Sequence, residues 1–306
     1  VQVYALGLLI AALAGVLLRS TPAILERRLA PATLVRLCTA AAVVDSAALG
    51  CSLAALALSV AGRETDIAAL GRWSSPALRS LLPGPPWLGV AAGLALAAST
   101  AAGLACLLRI ATWTASAERA GSDLGSGPLF VLRQSRPLAY TLAGLRYRVV
   151  VTTGMLAQLE PDEQKVVLAH ELSHRRHRHH AYVQCAELAA AINPLLRPLW
   201  AVVRHGVERW ADEDAAAVAG SRRTAARAIA HAGLAASSSP PTAALSASSG
   251  RVGDRASALL CPPPTSRRLL PAAIIAATVV IGAIVPATAG MMHSDFEDAS
   301  HVASPK

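Results

Sequence analysis

The sequence predicts a mostly α-helical, polytopic membrane protein with about four transmembrane helices and one α+β domain outside the lipid. Three observations carry this. Of the 306 residues 54% are hydrophobic and only 15% charged, with a mean hydropathy of +0.45, too apolar for an ordinary soluble domain. Four stretches are nearly free of charge and approach or exceed the roughly 20 apolar residues a span needs. Between the third and fourth, the pattern changes to short β-rich segments followed by charged helical runs.

The four spans are Val3 to Leu18, Leu34 to Val60, Leu88 to Ile110 and Leu269 to Ala289. The first has no positive charge at its amino end and runs into Arg19 without a clear cleavage site, so it reads as a retained span rather than a leader. Asp45 falls inside the second, where a carboxylate is expensive and should face other helices or water. Ala and Gly dominate all four, which suits close helix packing. Orientation follows from arginine next to the spans. Arg19, Arg27, Arg28 and Arg36 crowd the first connection, whereas Arg63, Arg72 and Arg79 in the second are mixed with Glu64 and Asp66. The first connection is therefore expected in the cytoplasm, and alternation puts the region between the third and fourth spans there too. Arg267 and Arg268 before the fourth span, and Asp295, Glu297 and Asp298 after it, agree. The expected organisation is three spans with connections over 1–110 and a cytoplasmic domain over 111–234. A flexible Ser/Ala/Pro-rich linker over 235–268 follows, marked by Pro240-Pro241 and Pro262-Pro263-Pro264, then the fourth span over 269–290 and a short external tail over 291–306.

Within the cytoplasmic domain, Leu129–Leu132 and Tyr147–Thr152 read as short strands of a small sheet, separated by Pro137 and Gly144. Such a sheet offers an edge to an extended peptide, though the sequence does not say which edge. A helix starts at Pro161, which fits a first turn, with Asp162 and Glu163 complementing the positive end of its dipole. Two turns in stands His170-Glu171-Leu172-Ser173-His174, the pattern H-E-x-x-H. Four residues apart on a helix, the imidazoles share a face and both reach one tetrahedral zinc, with Glu171 beside the open position as general base. A third protein ligand is needed, and a second helical run after Pro198, ending at Gly220, offers Glu208 and, four residues on, Asp212. Glu208 is the expected third ligand, and Asp212 the acceptor that orients a ligand histidine. The run Arg175-Arg176-His177-Arg178-His179-His180 could be a second metal site, but a basic helix end satisfying its own carbonyls is the favoured reading. Asn193-Pro194 and Pro198 break the chain into the Glu208 helix. Tyr182 and His205 are equal candidates for stabilising an oxyanion.

With these residues in hand, the stretch from about Pro128 to Gly220 resembles the BlaR/MecR-type antirepressor membrane metallopeptidases, themselves similar in core to the HtpX-type membrane proteases. The matching pieces are Arg148–Leu156, Leu159 with Asp162-Glu163, Val167–His174, His179-His180, Asn193-Pro194-Leu195 and Glu208-x-x-Ala211-Asp212. The resemblance implies a zincin-like metalloprotease domain with one Zn²⁺ per chain, bound by His170, His174 and Glu208, and Glu171 as catalytic base. It further implies a cytoplasmic protein substrate, a winged-helix transcriptional repressor. No S-x-x-K sensor follows the fourth span, so direct β-lactam sensing is not expected.

Other classes fare worse. Cys38, Cys51 and Cys106 lie in spans and Cys185 and Cys261 are isolated, so no disulfide framework or C-x-x-C site exists. The net charge of +9 suits anionic lipid headgroups, and with few aromatics and no nucleic-acid-binding motif no direct nucleic-acid partner is expected. Two alternatives stand beside the signalling protease in the cell membrane. One is an HtpX-like quality-control protease using the same residues. The other is a catalytically silent membrane scaffold or sensor, against which the intact set of five residues argues.

Overall fold

The computed structural model describes residues 2–237, 252–262 and 269–303, with the backbone alone at residues 22, 23, 237, 269 and 303. Four helices are long and apolar enough to cross a membrane: α1 (Gln2–Ser20), α3 (Pro31–Ala61), α6 (Pro86–Leu124) and α13 (Leu269–Ala303). α3 is central and packs on the other three. Large side chains such as Leu13 and Leu17 of α1, Leu94, Leu104 and Leu108 of α6, and Val279 and Val280 of α13 are exposed around it. In lipid such a surface costs nothing; in water it would be an aggregation site.

The helices outrun their spans. α6 continues from the expected end at Ile110 to Leu124, and α13 continues through the expected tail to Ala303. At about 1.5 Å per residue, 39 residues in α6 make a rod of roughly 58 Å, well beyond a hydrocarbon core of about 30 Å. Glu118 on its far end accepts from Arg146 N at 3.0 Å and Arg148 Nη1 at 3.4 Å, which ties the sheet to the rod. The expected tail is helical because its apolar face is covered: Phe296 packs edge-on against Trp73 at 4.7 Å and Ala299 O accepts from Ser74 N. Two short helices, α4 (Thr65–Gly71) and α5 (Ser75–Leu81), complete this end. At the other end of the bundle the first connection holds α2 (Pro22–Arg28).

The sheet has three strands in the order β1-β3-β2. β1 (Leu129–Leu132) is parallel to β3 (Arg148–Thr152), and β2 (Ala139–Leu142) is antiparallel to it. β2, with Ala139 opposite Val151 and Thr141 opposite Val149, was not anticipated, because Pro137 stands just before it. β3 is buried along its whole length, so a continuous Val149-Val150-Val151 run replaces alternation.

After the short α7 (Thr153–Ala157) comes α8 (Pro161–His177), capped by a reciprocal box between Glu160 and Glu163. Arg178 in the left-handed region (φ 51°) ends it and starts α9 (His179–Ile192). A 3₁₀ turn at Pro194–Leu196 leads into α10 (Arg197–Ala219), followed by α11 (Arg222–Ser237). The α9–α10 hairpin lies against the membrane helices. Leu34, Val35, Cys38 and Ala42 of α3 share one core with Ala186, Ala189 and Ala190 of α9 and Leu199, Val203, Val207 and Trp210 of α10. Gly206 allows this approach, since a Cβ there would lie 2.8 Å from Val35. At the hairpin tip Asn193 Nδ2 donates to buried Asp45 at 2.9 Å. Asp45 thus faces other helices, the outcome its cost in hydrocarbon requires.

The expectation of a flexible linker over 235–268 fails in part. Residues 252–260 form α12 (Val252–Leu260), packed on α11, because Val252, Ala256 and Leu259 recur on one face and meet Ile229 and Ala225. The Ser/Gly/Ala composition hid this period. Pro240-Pro241, Pro263-Pro264 and Arg267-Arg268 lie outside the described residues.

Candidate metal centre

α8 and α10 pack side by side and turn their carboxylate and imidazole faces toward one cavity of about 630 Å³. His170 Nε2 and His174 Nε2 are 3.1 Å apart, and the Glu208 carboxylate stands 3.6 Å from each. Among the described residues these three form the group of His, Cys, Asp and Glu that could hold a metal, with ligand atoms all within 4.8 Å of one another. Bonds of about 2.0–2.1 Å in a tetrahedral site imply ligand-to-ligand edges of roughly 3.3 Å, so the two imidazoles and the carboxylate fit zinc in both spacing and donor type.

Each imidazole is held from behind. His170 Nδ1 lies 3.0 Å from Asp212 Oδ1, and His174 Nδ1 lies 3.0 Å from Nδ1 of His179. His179, almost fully buried, packs on Trp210. It is one of the histidines read as a basic helix end; the left-handed residue Arg178 turns it inward, which no helical periodicity could reveal. His177 meanwhile bonds Asp214 at 3.0 Å and packs on Trp210 beside His179.

Glu171 lines the cavity beside the pair. Thr141 Oγ1, on β2, is placed to donate to Glu171 Oε2 at 2.8 Å, with the Glu171 carbonyl oxygen at 3.0 Å as the alternative acceptor. Burial pushes the Glu171 carboxyl up, against the pull of His170 and Thr141. Burial likewise disfavours charge on His170, but hydrogen bonds to Asp212 and Glu208 outweigh it and raise its pKa to about 10. His174 goes the other way, to about 3, chiefly through burial. Glu208, despite burial, is held well below the usual carboxylate range by His174, Arg255 and His170, and Asp212 is lowered by its hydrogen bonds to Arg255 and His170. The His170 ring thus stands between two carboxylates, Asp212 at Nδ1 and Glu208 at Nε2.

Besides His179, two residues here escaped sequence reasoning. Thr141 sits on the unanticipated strand. Arg255 comes from α12, inside the expected linker, and reaches Asp212 at 2.6 and 2.8 Å and Glu208 at 3.0 Å. Of the two oxyanion candidates, His205 lines the cavity, whereas Tyr182 packs toward Trp210 with ring centroids 6.1 Å apart and is outside the lining. Among the described residues β2 is an edge strand, and Leu138–Thr141 line the cavity together with Ile229, Ala232 and Val252.

Residues 114–269 match the family model described as peptidase family M48. No curated protein and no solved structure matches the chain. The narrower BlaR/MecR resemblance gains no support from this match.

Proposed function

The chain belongs to peptidase family M48, and from that premise we propose that it is a membrane-embedded, zinc-dependent endopeptidase that cleaves a cytoplasmic protein. What carries this reading is the convergence of His170, His174 and Glu208 with Glu171 beside them. A zinc ion bound there supplies Lewis-acid polarisation of the scissile carbonyl and makes water nucleophilic near neutral pH. The rest falls to side chains. Thr141 fixes Glu171 through Oε2, so the remaining oxygen takes the proton of the attacking water and later delivers it to the leaving nitrogen. The upward shift at Glu171 brings its proton affinity closer to that of the groups it serves. The free edge of β2 accepts an extended peptide as an added strand, with Ile229, Ala232 and Val252 facing its side chains.

A cytoplasmic orientation is supported by contacts as well as by arginine counts. The arginine-rich first connection lies on the protease side, where Arg209 Nη1 donates to Glu26 O at 3.3 Å and the Arg36 guanidinium sits 4.7 Å over Trp210. The mixed second connection and the acidic end of α13 meet at the opposite end. A winged-helix repressor as substrate rests on the resemblance of residues 128–220 alone. The test is purified full-length protein beside Glu171→Gln, with zinc content and cleavage measured on one defined repressor and on unfolded casein. Zinc in both with cleavage only by the parent is the expected result. A zinc-free folded parent sinks the metallopeptidase reading, and cleavage of casein alone replaces the regulatory role with quality control.

A further inference from the structure

We infer that Arg255 is a positioning residue of the metal centre: its guanidinium clamps Glu208 and Asp212 together, so that the site is pre-formed and Glu208 offers a single oxygen to the metal. The inference rests on the metallopeptidase reading above. Nε and Nη2 of Arg255 donate to the two oxygens of Asp212 at 2.8 and 2.6 Å, the paired geometry a guanidinium makes best, and Nη1 lies 3.0 Å from Glu208 Oε2. Both Glu208 oxygens stand 3.6 Å from an imidazole, Oε2 from His170 Nε2 and Oε1 from His174 Nε2, but only Oε2 is engaged by Arg255, which leaves Oε1 as the oxygen without that partner. The same guanidinium thereby fixes a ligand carboxylate and the carboxylate behind His170, two groups one helical turn apart on α10.

Charge favours the same conclusion. Glu171, Glu208 and Asp212 crowd a largely buried site, and a divalent metal with one guanidinium brings three carboxylates to neutrality. The clamp is also imposed by the fold rather than drawn in by the carboxylates. α12 is seated by Leu259, buried among Val166, Ala215 and Ala225, and by Val252 in the space that Gly233 leaves. Arg222 donates to the carbonyls of Ala258, Leu259 and Cys261 and pairs with Glu213.

The test compares full-length parent, Arg255→Met and Arg255→Lys in detergent, using zinc affinity by chelator competition, the visible spectrum of the cobalt(II) form and the division of any activity loss between kcat and KM. Arg255→Met is expected to bind zinc about tenfold or more weakly, the usual cost of losing such a supporting contact. Its cobalt spectrum should weaken as Glu208 becomes free to offer both oxygens, with loss mainly in kcat. Arg255→Lys keeps the charge but not the fork and should fall between. Parent-like or tighter zinc binding with an unchanged cobalt spectrum in Arg255→Met overturns the proposal. A parent that takes no metal fails one step earlier and removes the metallopeptidase reading with it. Since loss of folding could mimply mimic loss of zinc, Leu259→Ala serves as a second variant: it loosens α12 without touching the site, and parent-like zinc affinity with α12 undocked, as judged by protease nicking, also overturns the clamp.

Discussion

If zinc binds as proposed, metal and proton compete for His170, and the competition has a measurable size. The metal-free site holds a proton on this imidazole with a pKa of about 10, because the hydrogen bonds to Asp212 and Glu208 outweigh burial. Zinc needs the neutral ring, so binding at pH 7.5 must expel about one proton against about 2.5 pH units, a cost of roughly 3 kcal/mol or about 300-fold in apparent affinity. The sign follows. In the metal-free protein the stabilising contribution of the His170 pair is complete below the unfolded value near 6.5 and is lost as pH rises toward 10. Zinc affinity runs oppositely and climbs about tenfold per pH unit across this window. Chelator competition at pH 6.5, 7.5 and 8.5 reads the slope, and calorimetry in buffers of different ionisation enthalpy counts the proton. Asp212→Asn removes the largest raising contact and should flatten the slope. A zinc affinity independent of pH between 6.5 and 8.5, with no proton released, would refute the reasoning.

Three further outcomes are expected. Thr141→Val removes a hydrogen bond that lowers the Glu171 carboxyl, so the acidic limb of the kcat/KM profile should move to higher pH and kcat should fall by about tenfold. Gly206→Val drives a side chain into Val35 and should cost about 1–3 kcal/mol of stability, read as a lower melting temperature in detergent. Asp45→Ala leaves the Nδ2 of Asn193 without its acceptor at the tip of the α9–α10 hairpin and should cost about 1–3 kcal/mol, while Asp45→Asn, which can still accept, should cost less.

Much of the site was legible because a helix turns spacing into direction. His170 and His174, and Glu208 and Asp212, are each four apart, and the structure brings all four together with Glu171. The spans were legible for a similar reason, since hydrocarbon leaves no polar option for twenty residues. What escaped has other causes. Thr141 lies on a four-residue strand beside a proline, too short to carry a period. His179 enters the site only through a left-handed residue at a helix junction. Arg255 rides on a helix whose composition is that of a linker, and its role depends on tertiary contacts made 43 residues away from Asp212. Helix ends beyond the bilayer were missed because hydropathy reports where lipid stops, not where hydrogen bonding stops.

The core that α3 shares with α9 and α10 means that the catalytic unit cannot be lifted out as a cassette. A boundary drawn near residue 111 passes between groups that bury one another. Leu199, Val203, Val207 and Trp210 would lose their partners Leu34, Val35, Cys38 and Ala42. Full burial of such side chains is worth roughly 1.5–3 kcal/mol each, and even half of that for four of them rivals the low end of the 5–15 kcal/mol by which a domain is stable. A fragment cut free of the bundle would carry every proposed metal ligand and still lack the surface on which the helix of Glu208 is built.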